Sequence, residues 1–156
     1  MTVQQHIIKL ATSAKAACPT IANSPVSQRN EALAKIAEAL EMSRAALLKA
    51  NELDLESAAE AGLDAALVDR LELNDSRIDG MLDALSIVRS LPDPIGGIED
   101  LKSMVSGIQV GKMREPLGLI GIIYQSRPNV TIDAASLCLK SGNAVMLRGG
   151  SEAIRS

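Results

Sequence analysis

The stretch Met113–Glu152, MREPLGLIGIIYQSRPNVTIDAASLCLKSGNAVMLRGGSE, decides the fold of this chain. Its apolar run from Leu117 to Tyr124 is rich in Ile and lacks the alternation of a strand with one wet face, so it reads as a buried parallel strand. Pro128 breaks the loop that follows, and Ile132, Ala135, Ser136 and Leu139 recur at helical spacing until Ser141, Gly142 and Asn143 supply a stop. A second apolar run, Ala144 to Leu147, ends in Arg148, Gly149, Gly150 and Ser151, with Glu152 opening a further helix. Strand to strand takes roughly 30 residues, the length of a right-handed βαβ crossover. Two strands make too small a sheet to stand alone, so the sheet is expected to continue in residues this chain lacks or in a partner, and the domain reads as truncated.

Upstream, Ile98 to Pro116 holds short extended pieces: Leu101, Met104 and Val105 precede a Ser106–Gly107 turn, and Ile108, Val110 and Met113 follow it. This predicts a hairpin-like arm. The run LPDPIGG, Leu91 to Gly97, joins two prolines to two glycines and is the clearest punctuation in the chain. Before it the sequence reads as successive helices. One, begun by Ser24, Pro25 and Ser27, carries the stripe Leu33, Ile36, Ala37, Leu40, Leu47 and Leu48; a second carries Leu53, Leu55 and Ala58 to Ala61, ended by Gly62. A third runs from Asp64 to Leu71, and a fourth starts at the Asn74–Asp75–Ser76 cap and keeps Ile78, Met81, Leu82, Leu85 and Val88 on one face. The fold class is therefore α/β, divided into a helical part (1–97), an extended arm (98–115) and an incomplete βαβ unit (116–156).

Hydrophobic residues make up 47% of the 156 residues, yet Tyr124 is the single aromatic, so the core must be aliphatic and Ala-rich. Modules that stack bases need exposed aromatics, and a net charge of -3 offers no basic surface in their place, which argues against nucleic-acid binding. No apolar stretch approaches the roughly 20 residues that cross a bilayer, and the start MTVQQHIIKLATSAKAA lacks the regions of a signal peptide. No membrane association and a cytoplasmic location are the expectations. Cys18, Cys138 and a lone His6 show no metal-ligand spacing, so no metal site is expected. Cys138 falls inside a predicted helix with no cation nearby in sequence, as a packed thiol does, whereas Cys18 follows an Ala-rich helix and precedes Pro19, with no recognisable partner.

Two turns carry the candidate chemistry. Ser126, Arg127, Pro128 and Asn129 lie between a strand end and a helix start, where backbone N–H groups and the helix dipole favour a phosphate or carboxylate. The plainer alternative is that Arg127 bonds carbonyls to fix the turn and Asn129 caps the helix. Arg148, Gly149, Gly150, Ser151 and Glu152 end the second strand, and their plainer alternative is a solvated arginine, a glycine turn and an N-capping serine. Neither GxGxxG nor GxxxxGK[ST] occurs, so these residues alone announce no dinucleotide site.

The run PLGLIGIIYQSRPNVTIDAASLCLKSGNAVMLRGGSE resembles the signature region of the γ-glutamyl phosphate reductases, the glutamate-5-semialdehyde dehydrogenases of the aldehyde dehydrogenase superfamily. ANELDLESA (Ala50–Ala58), LVDRLELNDSRIDGM (Leu67–Met81) and LPDPIG (Leu91–Gly96) extend the similarity along the chain. The resemblance implies a Rossmann-like nucleotide-binding domain, represented here by its N-terminal portion through the first βαβ. It implies NADPH-dependent reduction of γ-glutamyl phosphate to glutamate-5-semialdehyde with release of phosphate, in proline biosynthesis. In the family a cysteine thiolate attacks the acyl phosphate and hydride from NADPH reduces the thioester; that cysteine lies beyond residue 156, so the chain should hold no catalytic residue and be inactive alone.

Arg127 and Asn129 are then expected to orient the acyl phosphate, and Ser126 stands where the wider superfamily has an oxyanion-stabilising asparagine. Gln125 replaces a common Glu, removing a charge beside an anionic substrate. Arg148–Glu152 occupies the place that reads Lys-Pro-Ser-Glu in the superfamily and contacts the adenosine ribose, and Arg148 is suited to the 2′-phosphate of NADPH. The intact enzyme is expected to be a homo-oligomer. Two other readings compete: a non-catalytic helical module that pairs through its arm, and another acyl or aldehyde dehydrogenase. The RPNVTIDAASLCLKSGNAV run argues against the last, since general aldehyde dehydrogenases carry an aromatic, asparagine-containing turn there.

Overall fold

The structure is a computed structural model that describes residues 2–125 and 127–156. Five helices come first: α1 (Val3–Ala22), α2 (Val26–Met42), α3 (Arg44–Glu60), α4 (Ala65–Leu71) and α5 (Asp75–Ser90). Then follow β1 (Ile98–Ser103) and β2 (Gln109–Met113), β3 (Leu119–Ile123), α6 (Pro128–Lys140), β4 (Ala144–Arg148) and a short 3-10 turn at Ser151–Ala153. Strands β3 and β4 pair in parallel, Leu119 opposite Ala144 through Ile123 opposite Arg148. The chain is thus a mixed α/β protein with helices ahead of the βαβ unit.

Local chemistry explains most boundaries. Thr2 and Gln5 form a capping box on α1, while Asp64 and Asn74 accept from the backbone N–H of Leu67 and Arg77 at the starts of α4 and α5. At the end of α6, Gly142 adopts φ +72°, the Asn143 N–H reaches the Cys138 carbonyl at 2.8 Å and the Gly142 N–H reaches Leu139 at 3.1 Å. That is a Schellman stop, which glycine permits because it has no Cβ to clash. Here it also lets the chain pass close: a methyl on Gly142 would overlap the side chains of Ile95 and Pro116.

The core lies where α2, α5 and α6 meet. Leu33, Leu40, Leu73, Ile78, Met81, Leu85 and Val88 are buried there, with Ile132 and Leu139 of α6 packed against them. Each such side chain stabilises the fold by roughly 1.5–3 kcal/mol relative to exposure. Buried polar groups tie the surrounding layers. Arg29 of α2 pairs with Asp93 at 2.6 Å, and Lys140 of α6 donates to Asn30 and to the Arg89 carbonyl. Burial pushes the Lys140 ammonium pKa down, against the pull of Asp93 and with the help of Arg29.

Three local expectations change. The stripe Leu33 to Leu48 spans two helices, because the chain breaks at Ser43 and restarts at Arg44. Leu40 and Leu47 are seven residues apart and keep facing one core across the break, so the apolar period hides it. Arg44 pins the corner by pairing with Glu41, Asp75 and Asp79. Cys18 and Pro19 lie within α1 rather than after a helix. Finally, β3 is parallel but not buried: Ile123 is 76% exposed, because only β4 flanks it and the helices cover part of the pair.

Candidate functional site

Parallel pairing brings both candidate turns to one edge. Because Ile123 stands opposite Arg148, the chain leaves β3 and β4 at the same, carboxyl end, where open α/β sheets place ligands. The backbone N–H of Tyr124 continues the ladder to the Arg148 carbonyl at 3.1 Å. Tyr124 then lays its ring beside Gly149, where an added methyl would sit 3.6 Å from the ring. Its hydroxyl stands 2.5 Å from Thr131 Oγ1, in the first turn of α6.

Arg127 precedes α6 and is exposed, and its side chain forms no cap on the helix. Pro128 fills the first helical position, where its missing N–H costs nothing. Asn129 uses its amide to donate to Asp133 at 3.1 Å, one turn along, rather than to cap. Arg127, Asn129 and Asp133 line one wall of a groove of about 470 Å³, open to solvent. Arg70 of α4, Glu72 just after it, and Arg77 and Met81 of α5 form the facing wall. Arg77 is committed elsewhere: it pairs with Asp69 at 2.8 Å and donates to the Asp69 and Glu72 carbonyls, fixing the turn between α4 and α5. No ion pair among the described residues engages Arg70 or Arg127, which leaves two cationic groups facing an open volume. Ser126 lies outside the described residues.

Arg148 ends β4 with its side chain exposed. Gly150 and Ser151 form the turn, and Ser151 is exposed without capping it. The Glu152 carboxylate folds back over Gly150, occupying the space a Cβ would take. None of residues 148–152 lines the groove beside α6, so the two turns share an edge but open onto different surfaces.

Cys138 is buried, and burial pushes its thiol pKa up, which keeps it protonated and unreactive. What sequence reasoning missed is the second wall of the groove and the role of α3. Asn51 and Asp54 are fully buried there: Asn51 donates to the Leu71 carbonyl at 2.9 Å and accepts from Leu73 N–H at 2.7 Å. Asp54 accepts from the backbone N–H groups of Arg155 and Ser156, just after the β4 turn. The available signal is their spacing, since Asn51, Asp54 and Ala58 share one helix face with polar groups in core positions.

A helical layer ahead of a parallel βαβ, with both candidate turns at the carboxyl ends of its strands, is the opening part of an aldehyde dehydrogenase fold. A Bacillus subtilis structure described as a candidate aldehyde dehydrogenase superposes with a TM-score of 0.65 at 19% identity, over 90% of this chain and 29% of its own. The particular family is narrower. The γ-glutamyl phosphate reductase of Thermotoga maritima matches at 44% identity and TM-score 0.90 over 95% of this chain, and that of Saccharomyces cerevisiae at 32% and 0.91 over 99%. The chain belongs to the γ-glutamyl phosphate reductase family, and it spans 36% and 39% of the length of these two reductases. No profile of a known protein family matches the chain. No helix among the described residues is long and apolar enough to cross a membrane.

Proposed function

We propose that this chain supplies the first part of an enzyme that reduces γ-glutamyl phosphate to glutamate-5-semialdehyde, with NADPH as reductant and phosphate as the other product. The observation that carries this is the match to two reductases along almost the whole chain, joined to anion-suited groups at the carboxyl edge of β3 and β4. Among the described residues, Arg127 and Asn129 hold and orient the acyl phosphate at the start of α6, where the helix dipole favours negative charge. Ser126, the residue before Arg127 in the sequence, completes the proposed substrate set.

The second turn fits a phosphorylated adenosine. Arg148 presents an exposed guanidinium for the 2′-phosphate, and Ser151 and Glu152, whose carboxylate lies over Gly150 in the Gly149–Gly150 turn, offer oxygen acceptors to ribose hydroxyls. Bound there, NADPH supplies hydride. This chain's own residues bind and orient; the nucleophilic cysteine belongs to a part of the enzyme outside residues 1–156, so the chain alone is inactive. The intact enzyme works in proline biosynthesis in the cytoplasm as a homo-oligomer. Its arm is suited to pairing with a second copy: β1 and β2 are exposed along their length, and Leu101, Val105, Ile108 and Val110 face water.

A chimera tests the reading. Residues 1–156 replace the matching segment of the Thermotoga maritima reductase, and γ-glutamyl phosphate-dependent NADPH oxidation is followed. Activity is expected from the chimera and none from the chain alone; a folded chimera with no turnover would overturn the proposal. In that chimera Arg127→Ala should raise KM, and Arg148→Ala should lower the preference for NADPH over NADH by about 10-fold or more, the worth of a charge-assisted hydrogen bond. Unchanged values would remove either residue from its role.

A further inference from the structure

We infer that Tyr124 is a positioning residue that couples the two turns, so that a ligand held after β4 alters the start of α6 and the reverse. This rests on the reading of residues 127–129 and 148–152 as substrate and cofactor turns. Three contacts carry it. The Tyr124 N–H holds the Arg148 carbonyl at 3.1 Å, the ring lies beside Gly149, and the hydroxyl meets Thr131 Oγ1 at 2.5 Å. One residue therefore joins three points: its backbone holds the last residue of β4, and its rigid side chain touches the first glycine of the β4 turn and the first turn of α6. A phenol ring has only two side-chain torsions, so displacement at one end is passed to the other with little slack.

Core packing does not account for the residue. Tyr124 is half-buried and stands outside the cluster formed by α2, α5 and α6. Its hydroxyl bonds an exposed threonine rather than an otherwise unsatisfied buried group. Gly149 borders the ring closely: a methyl there would sit in ordinary contact with it, 3.6 Å from the nearest ring atom.

The chain has no Phe or Trp, so the Tyr124 ring signals stand clear in a proton spectrum, and backbone amides report on both turns. Thr131→Val in the full chain is expected to move the amide signals of Gly149 and Gly150 as well as those of α6. Adenosine 2′,5′-bisphosphate, which carries the 2′-phosphate, is expected to move Gly149, Gly150 and also Val130 and Thr131. Tyr124→Phe keeps the ring beside Gly149 but removes the hydroxyl: the nucleotide should still move the glycines and no longer move α6. Saturating inorganic phosphate should change the apparent Kd for the nucleotide by about fivefold in the wild type, and not in Tyr124→Phe.

If the nucleotide moves the glycines while both it and Thr131→Val leave the opposite turn unmoved, the coupling is overturned and the cofactor turn stands. If Thr131→Val moves the glycines but the nucleotide does not, the cofactor reading of that turn falls and ligand coupling falls with it.

Discussion

The helical core and the β1–β2 hairpin are both supplied with large aliphatic side chains, and only the first hides them. Leu33, Ile78 and Leu85 are buried where α2, α5 and α6 meet, whereas Ile98, Leu101, Val105, Ile108 and Met113 all face water. The difference lies in geometry. Helical residues three and four apart form one stripe that several helices can share, but two strands alone have no third layer to cover either face. The hairpin stays ordered through its ladder, with a bulge between Glu99 and Lys102 and Asp100 at φ 55°. Its ion pairs, Arg114 with Glu99 and Lys112 with Asp100, are exposed and contribute at most about 1 kcal/mol each. Apolar content therefore measures the capacity for burial, and layering determines where burial happens.

The contrast is open to direct attack. The largest effect is expected at Leu85→Ala, which leaves a cavity at a fully buried site and should lower unfolding free energy by about 2–5 kcal/mol in a urea titration. A loss below about 1 kcal/mol would mean the helices do not form the cooperative core described. Next comes Gly142→Ala, where a left-handed backbone and the closeness of Ile95 and Pro116 both oppose a methyl; the expected cost is about 1–3 kcal/mol in the same titration. An unaffected midpoint would show that the stop of α6 does not hold the root of the arm against the core.

Asp54 sharpens the comparison through pH. Burial alone raises its pKa, but hydrogen bonds from Ser156 and Arg155 together outweigh burial and hold the carboxyl below its ordinary 3.8. A carboxyl depressed in the folded state contributes stability that is fully present above its unfolded pKa and is lost as pH falls through the folded value. Unfolding free energy of the wild type should therefore drop on acidification below about pH 4 more than that of Asp54→Asn, which itself should cost about 1 kcal/mol at pH 7. Parallel pH profiles would remove Asp54 from the account. The smallest effect belongs to the arm: Val105→Ser should stay within about 0.5 kcal/mol of wild type, since the valine is fully exposed. Sedimentation of the chimera, in contrast, should show weakened self-association; unchanged sedimentation would leave the arm without the proposed partner.

Much of this was legible in the residues. The order strand, helix, strand followed from an Ile-rich run, a proline at the first helical position and a glycine stop, each a local preference of the backbone. The family was legible from the run between Pro116 and Glu152 and is shown by the match to solved reductases. The break at Ser43 was not legible, because leucines seven residues apart keep their phase across it. Nor was the second wall of the groove, since Arg70 and Glu72 sit at the end of a short helix whose distance from Arg127 no local pattern encodes.

By itself, then, the sequence determined most of the elements, their order and the family, because capping, chain stops and periodicity act over three or four residues. Only the tertiary structure decided which polar groups are buried and what they hold. Asn51 reaches across to Leu71 and Leu73, Asp54 to Arg155 and Ser156, and Lys140 to Asn30, 110 residues away. A buried polar group must find its partner wherever the packed layers bring one, and that choice is made in space rather than along the chain.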